Sequence, residues 1–300
     1  MTRPDLPQLS RFTGIADEGG ESLAAQLACH RALGWNTLEL RSVDGLPLAQ
    51  LGRQQQTAVC AAIVDAGFTV PVLDSQIGNW RSDITDPFKA DTDELASLAR
   101  MARPVGCRMV RIMSYRNQRP GQALDEAAWA REVFRRLSAL AGQAADHGLV
   151  LVHENCSGWA GQSMAHTLRL LDAVPHPSLQ LLFDLGNGPA HGYDAAAWLR
   201  ELWPRVAHVH VKDALHDHQG QVHYTFPGEG DCRVRESMAF LHARGYAGLW
   251  SIEPHLALIP HLQAERGQPR ADSYLTYARH AMALFDQVCV ARIDELSHAV

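Results

Sequence analysis

Apolar residues in this chain come in short blocks, and one local unit recurs: a helix-prone segment ends at a glycine and a brief β-prone run follows. The copies are HRALGWNTLELR around Gly34, VDAGFTVPVLDS around Gly67, ARPVGCRMVRIMS around Gly106, AADHGLVLVHEN around Gly148 and HARGYAGLWSIEP around Gly245. Glycine closes a helix well because it takes the left-handed conformation with no Cβ penalty. Two further runs, LQLLFDL (179–185) and VAHVHV (206–211), follow Pro177 and Pro204, and RFTGIAD supplies an initial run, giving eight β-prone runs. The segments between them read as helices: Glu21–Leu33, Leu48–Ala66, Asp91–Arg103, Leu124–Asp146 and Arg233–Arg244. In the fourth, Trp129, Val133, Leu137 and Leu140 fall at helical spacing.

Strands that alternate with helices predict βαβ units and a parallel sheet. Eight such units predict an α/β protein with a single (β/α)8 barrel rather than an open doubly wound sheet. No GxGxxG follows the first run, which argues against a dinucleotide fold. No linker or low-complexity segment interrupts residues 1–300, so one domain is expected. Residues 273–300 read as a C-terminal helix that covers the barrel or a partner subunit, with Leu275, Tyr277, Ala281, Leu284 and Val288 as its apolar positions.

Composition changes this picture little. A length of 300 residues suggests two domains by division, but α/β barrels reach this size as one, and 46% hydrophobic residues suffice for a full core. No stretch of about 18 apolar residues occurs, which predicts no membrane span. The start MTRPDLPQLSRF has no apolar signal region, so a cytoplasmic location is expected. A net charge of -6 without a long charge run argues against a nucleic-acid partner. The six cysteines (29, 60, 107, 156, 232 and 289) form no CxxC pair and read as free thiols in a reducing compartment.

Candidate chemistry lies at the ends of the last four runs. Glu154 closes LVLVHEN, Asp184 closes LQLLFDLGN, His210 closes VAHVHVKD and Glu253 closes GLWSIEPH. Adjacent strands lie about 4.8 Å apart, so four consecutive strand ends can surround one ion at the catalytic face of a barrel. Three carboxylates and an imidazole suit Mn²⁺, Mg²⁺ or Co²⁺ better than a structural zinc site, with catalytic Zn²⁺ left open. A lone strand histidine is more often a core residue, and a lone glutamate a cap or surface acid. Acids are almost never fully buried unpaired, however, and three end otherwise apolar strands in consecutive units. His208 shares a face with His210 one layer deeper, as a core residue or a support for a ligand. His153 is expected to point away from Glu154. Beyond the strand ends, Lys212 and Asp213 are candidates to act on substrate or orient a ligand. Asn187 in DLGN reads equally as a substrate contact or a turn residue. Arg41, Gln76, Arg111, Tyr115 and Arg233 lie near strand tops or loops, as does the FPGEGD loop, whose glycine amides could receive a phosphate next to the opposing charges of Glu229 and Asp231.

These motifs resemble the xylose isomerase-like barrels, often called sugar phosphate isomerase/epimerases. That group includes ketose 3-epimerases and L-ribulose-phosphate 3-epimerases, with hydroxypyruvate isomerase and endonuclease IV more distant. The resemblance runs from ADE (16–18) and QLACHRALGWNTLELRSVDG (26–45) through HEN, FDLGN, HVHVKD and PGEGD to SIEPH. It implies that Glu154, Asp184, His210 and Glu253 hold one divalent ion, Mn²⁺ foremost. It implies further that Glu154 and Glu253 move a proton on and off the carbon beside a carbonyl of a ketose or ketose phosphate. Asn187, Arg41, Lys212, Arg233 and His255 are then the candidate substrate contacts, and the partners are a small-molecule sugar and further copies of the chain, as a dimer or tetramer. Asn187 stands where several ketose epimerases carry histidine, and endonuclease IV-like enzymes need many more ligands than this chain shows. Two other readings share the site: a metal-dependent lyase or deglycosylase acting on a 3-oxo sugar, and a sugar-binding barrel without catalysis.

Overall fold

The computed structural model describes residues 11–259, 264–265 and 269–297. Seven parallel strands form one curled sheet in the order Phe12–Gly14, Trp250–Ile252, Val206–Val211, Leu179–Asp184, Val150–Ser157, Met109–Ser114 and Val72–Asp74. The two ends of that sheet are joined by residues 37–40. Glu39 N donates to Gly14 O (2.9 Å), Ala16 N to Glu39 O (3.0 Å), Leu40 N to Val72 O (3.2 Å) and Asp74 N to Leu40 O (2.9 Å). The second predicted strand is therefore present, but its pairing alternates between neighbours through isolated bridges instead of a continuous ladder. The ring is the closed α/β barrel expected from the sequence.

The predicted helices appear as Leu23–Ala32, Arg53–Asp65, Lys89–Ala102, Glu126–Asp146 and Val234–Ala243. A short 3-10 turn at Leu48–Gln50 takes the start of the second, because Gly52 begins a new N-terminus there. Side chains of Ser22 and Asp125 accept from the backbone N–H of Ala25 and Ala128 and so fix two helix starts. The five glycines of the repeated unit have φ between 69° and 78°, and an added Cβ would meet little or nothing, so conformation rather than space requires glycine there.

Outward residues of the strands, such as Val110, Leu151, Phe183 and Val209, pack under the surrounding helices. Inside the barrel, Val72, Val152 and Leu182 form an apolar layer. Two residues further along the same strands stand Asp74, Glu154 and Asp184, so the interior turns from apolar to polar toward the strands' C-terminal ends. The last helix spans Arg270–Ser297 and packs between Leu23–Ala32 and Val234–Ala243, completing the outer ring. Tyr277, Ala281, Leu284 and Val288 are buried against Phe12 and Trp250, with Leu275 partly buried beside them, so this face meets the barrel. Among the described residues, no helix is long and apolar enough to cross a membrane.

Candidate active site

The four strand-end residues converge. One donor atom from each of Glu154, Asp184, His210 and Glu253 lies within 4.8 Å of the others, and all four side chains are buried. Burial of three carboxylates side by side is costly, and the surrounding groups answer that cost with positive charge and hydrogen bonds. Glu154 accepts from Arg111 Nη1 (3.0 Å) and from Asn187 Nδ2 (3.1 Å). Asp184 Oδ1 accepts from Gly186 N (2.7 Å), and its own N–H donates to Asn155 Oδ1 (2.7 Å). The Lys212 ammonium lies 2.6 Å from both Asp184 Oδ2 and Glu253 Oε2. Arg41 Nη1 reaches Glu253 Oε1 at 3.3 Å.

His210 is oriented from behind. Its Nε2 lies 3.0 Å from Glu39 Oε1, and His208 Nε2 lies 2.8 Å from Glu39 Oε2, which also accepts from Ser251. A carboxylate only accepts, so Nε2 carries the hydrogen and His210 Nδ1 turns toward Glu253 Oε2 at 3.5 Å. That Nδ1 has no hydrogen-bond partner although it is buried. Burial would raise Glu39, but His210 and His208 outweigh it and hold the carboxyl well below its ordinary range. For His210, burial would lower the imidazole, while Glu39 and Glu253 raise it well above its ordinary value. A proton and a metal cation thus compete for the same lone pair.

The remaining acids diverge in the same field. Burial, aided by Glu253 and Glu154 and opposed by Lys212, pushes Asp184 up to about 7. Glu253 is also raised by burial, but Lys212, His255 and His210 pull it well below the carboxylate range. An oxygen-rich, over-negative pocket with one orphaned imidazole nitrogen fits a hard divalent ion. Glu154, Asp184, His210 and Glu253 are the residues that would hold it.

Several predicted contacts belong to this pocket and others do not. A cavity of about 230 Å³ is lined by Arg41, Asn187, Lys212 and His255 together with Glu154 and Glu253. His255 sits at φ 52°, held there by Glu18, which accepts from its backbone N (2.7 Å) and lies 3.0 Å from its Nδ1. Arg111, one of several arginines flagged, is central. Arg233 is a correction: it precedes the Val234–Ala243 helix, is exposed, pairs with Asp194 and Glu236, and lines a separate cavity. Its neighbouring acids claim the guanidinium before any substrate can. Tyr115 is likewise spent elsewhere, buried and donating to Asp91 (2.9 Å). The FPGEGD loop offers no free amides to a phosphate, since Gly228, Gly230 and Cys232 N–H groups all donate to the Asp213 carboxylate. His153 faces away from the pocket, as alternation requires, and burial lowers it to about 4.

Sequence reasoning passed over Glu39, Asp74 and Glu18. Asp74 closes the apolar run VPVLD, the same signal that picked out Glu154, while Glu39 lies one residue before the end of WNTLEL. Asp74 pairs with Arg111 Nε at 3.2 Å and so fixes the cation that holds Glu154.

A parallel barrel with an acidic, imidazole-bearing centre at the C-terminal ends of its strands defines the class. Within that class, the chain belongs to the xylose isomerase-like TIM barrel family, whose model matches residues 28–273. It is similar to the inosose dehydratase of Mesomycoplasma hyopneumoniae strain J, 27% identical over 150 residues that cover 45% of this chain and 47% of that protein. The chain thus aligns with about half the length of such curated relatives. Its fold matches a solved L-ribulose 3-epimerase with TM-score 0.73 at 17% identity, covering 96% of this chain and 98% of that one. A xylose isomerase domain protein from Planctomyces limnophilus matches with TM-score 0.69 at 19% identity, over 95% and 99% of the two chains.

Proposed function

We propose that this protein is a divalent-metal-dependent sugar isomerase or epimerase that removes and returns a proton on a carbon next to a carbonyl. The convergence of four buried donor atoms, two of them on the glutamates that line the cavity, carries this reading. A bound divalent ion, Mn²⁺ first among candidates, supplies Lewis-acid stabilisation of the negative charge that develops on the carbonyl oxygen. The chain's own residues do the rest. Glu154 is set by Arg111 and Asn187, and Glu253 by Lys212 and Arg41, so neither carboxylate can rotate freely. With two fixed carboxylates lining one small cavity, one can remove a proton and the other can return one, which is what inversion requires. Lys212 can hydrogen-bond the substrate oxygens from the same wall.

Deuterium uptake tests this directly. The Mn²⁺-loaded protein in heavy water, offered ketoses, ketose phosphates and oxidised sugars, is expected to place deuterium next to the carbonyl of one class. Exchange without metal, or full turnover by Glu253→Gln with metal bound, would overturn the assignment.

A second reading is a dehydratase, favoured by the similarity to inosose dehydratases. It begins with the same proton removal. The C–O bond at the next carbon then breaks, and the leaving hydroxyl takes a proton from a donor such as Lys212 or His255. Loss of one water from the product, seen by mass spectrometry, separates it from isomerisation.

A further inference from the structure

The cavity at the four-residue cluster does not end at its own walls. A second cavity of about 320 Å³ adjoins it, and Arg41, Trp80 and Arg111 line both. Ligand sites commonly span roughly 300–1,000 Å³. The inner chamber, at about 230 Å³, falls below that range, whereas the two together lie well inside it. The shared walls are fixed. Arg41 is held by Asp17 at 2.7 Å and by Glu18 and Glu253, and Arg111 by Asp74 and Glu154. The Trp80 ring lies 5.9 Å from the Arg111 guanidinium.

The furnishing of the outer chamber names its ligand. Gln76, Asn79 and Arg81 bring amide and guanidinium groups to the chamber that the Trp80 ring also lines, while the Ser42 hydroxyl donates to Asp17. An aromatic face with planar hydrogen-bonding groups around it suits a hydroxylated ring. Arg41 is paired with Asp17 and Arg111 with Asp74, and Glu21 and Arg81 line the same chamber.

We infer that the substrate is a two-unit sugar derivative: the reacting keto sugar occupies the inner chamber, and a second hydroxylated unit, joined as in a glycoside, occupies the outer one. This rests on the function proposed above and narrows it toward glycosides. Gln76 gives a clean way to obstruct the outer chamber. Its backbone is held by Glu94, Ser82 and Asn79, while its side chain accepts from Gln50 Nε2 at 3.4 Å. Gln76→Trp therefore adds bulk at the cost of one long, exposed hydrogen bond.

Deuterium exchange is measured for a free keto sugar, its phosphate and its glycoside, in the wild type and in Gln76→Trp and Arg81→Ala. The glycoside is expected to exceed the free sugar in kcat/KM by at least about tenfold. Gln76→Trp is expected to bring that ratio near one, and Arg81→Ala to raise KM for the glycoside several-fold with little change in kcat. Equal rates for glycoside and free sugar, preference for the phosphate, or an unaltered ratio in Gln76→Trp would overturn the inference and leave enolisation standing. If no compound exchanges, the proposed function fails, and titration of an unreactive disaccharide by calorimetry still decides the outer site. Binding that Gln76→Trp abolishes supports the second subsite; absent binding, or binding unaffected by Gln76→Trp, overturns it.

Discussion

Glu39 takes hydrogen bonds from His208, His210 and Ser251 while touching no cavity wall, so its effect on chemistry passes through His210. Carboxylate partners of a ligating imidazole fix its tautomer and raise its basicity, and their loss typically costs about 10–100-fold in metal affinity. Glu39→Gln keeps size and one acceptor but removes the charge. It is expected to weaken Mn²⁺ binding by a factor in that range, measured by competition with a fluorescent chelator, with circular dichroism unchanged. An affinity equal to wild type would show that His210 is held by its strand alone. The glutamates facing the cavity behave differently. General acid–base groups typically contribute about 10²–10⁴-fold. Glu154→Gln and Glu253→Gln are each expected to lose solvent exchange in that range, while a directly measured metal affinity falls far less than activity does. Equal falls in both would make them ligands only.

At the level of elements, strand ends were legible because a barrel strand buried on both faces is an apolar run, and the polar residue that stops it is the one that reaches the site. That rule brought together Glu154, Asp184, His210 and Glu253. Applied evenly, it also points to Asp74, which ends its strand, but not to Glu39, since Leu40 carries that strand one residue further. Arg233 was not legible, because whether a loop arginine meets substrate or a nearby acid depends on where its helix starts. Asp213 shows the same limit in reverse. It follows Lys212 in sequence, yet its carboxylate turns away to gather three backbone N–H groups of the 226–232 loop. That loop is therefore organised by one side chain. Asp213→Ala would leave those donors unpaired at roughly 1–3 kcal/mol for a buried group. The expected result is a lower melting temperature and reduced turnover together, with Asp213→Asn, which keeps an acceptor, recovering part of both.

For the molecule as a whole, stability against pH is set by buried groups that titrate in opposite senses. His30 has Nδ1 2.6 Å from Thr37 O and Nε2 2.8 Å from the Tyr274 hydroxyl, so it joins the last helix to the first strands as a neutral ring. Burial, only partly opposed by the Thr37 bond, lowers it to about 4. Its folded value lies below the unfolded one of about 6.5, so its stabilisation is present above that pH and is lost as pH falls through about 4. His153, lowered by burial to about 4, adds a loss of the same sign. Glu94 acts the other way. Burial is the main cause that pushes it up to about 7, although it accepts from Gln76 N. Its stabilisation is present below about pH 4.5 and is lost as pH rises through about 7. Between about pH 4.5 and 6.5 Glu94 therefore offsets only part of the rise in stability that the two histidines give. Glu94→Gln separates them, since an amide keeps the acceptor for Gln76 and cannot ionise. The variant is expected to be more stable than wild type near pH 8 by roughly 1–2 kcal/mol, allowing for Glu94's partial exposure. The two should converge near pH 4, and the variant should lose stability more steeply on acidification because only the histidine contribution remains. Thermal melts of both proteins across that range check it, and a constant offset at every pH would mean that Glu94 is not ionised at a cost in the folded state.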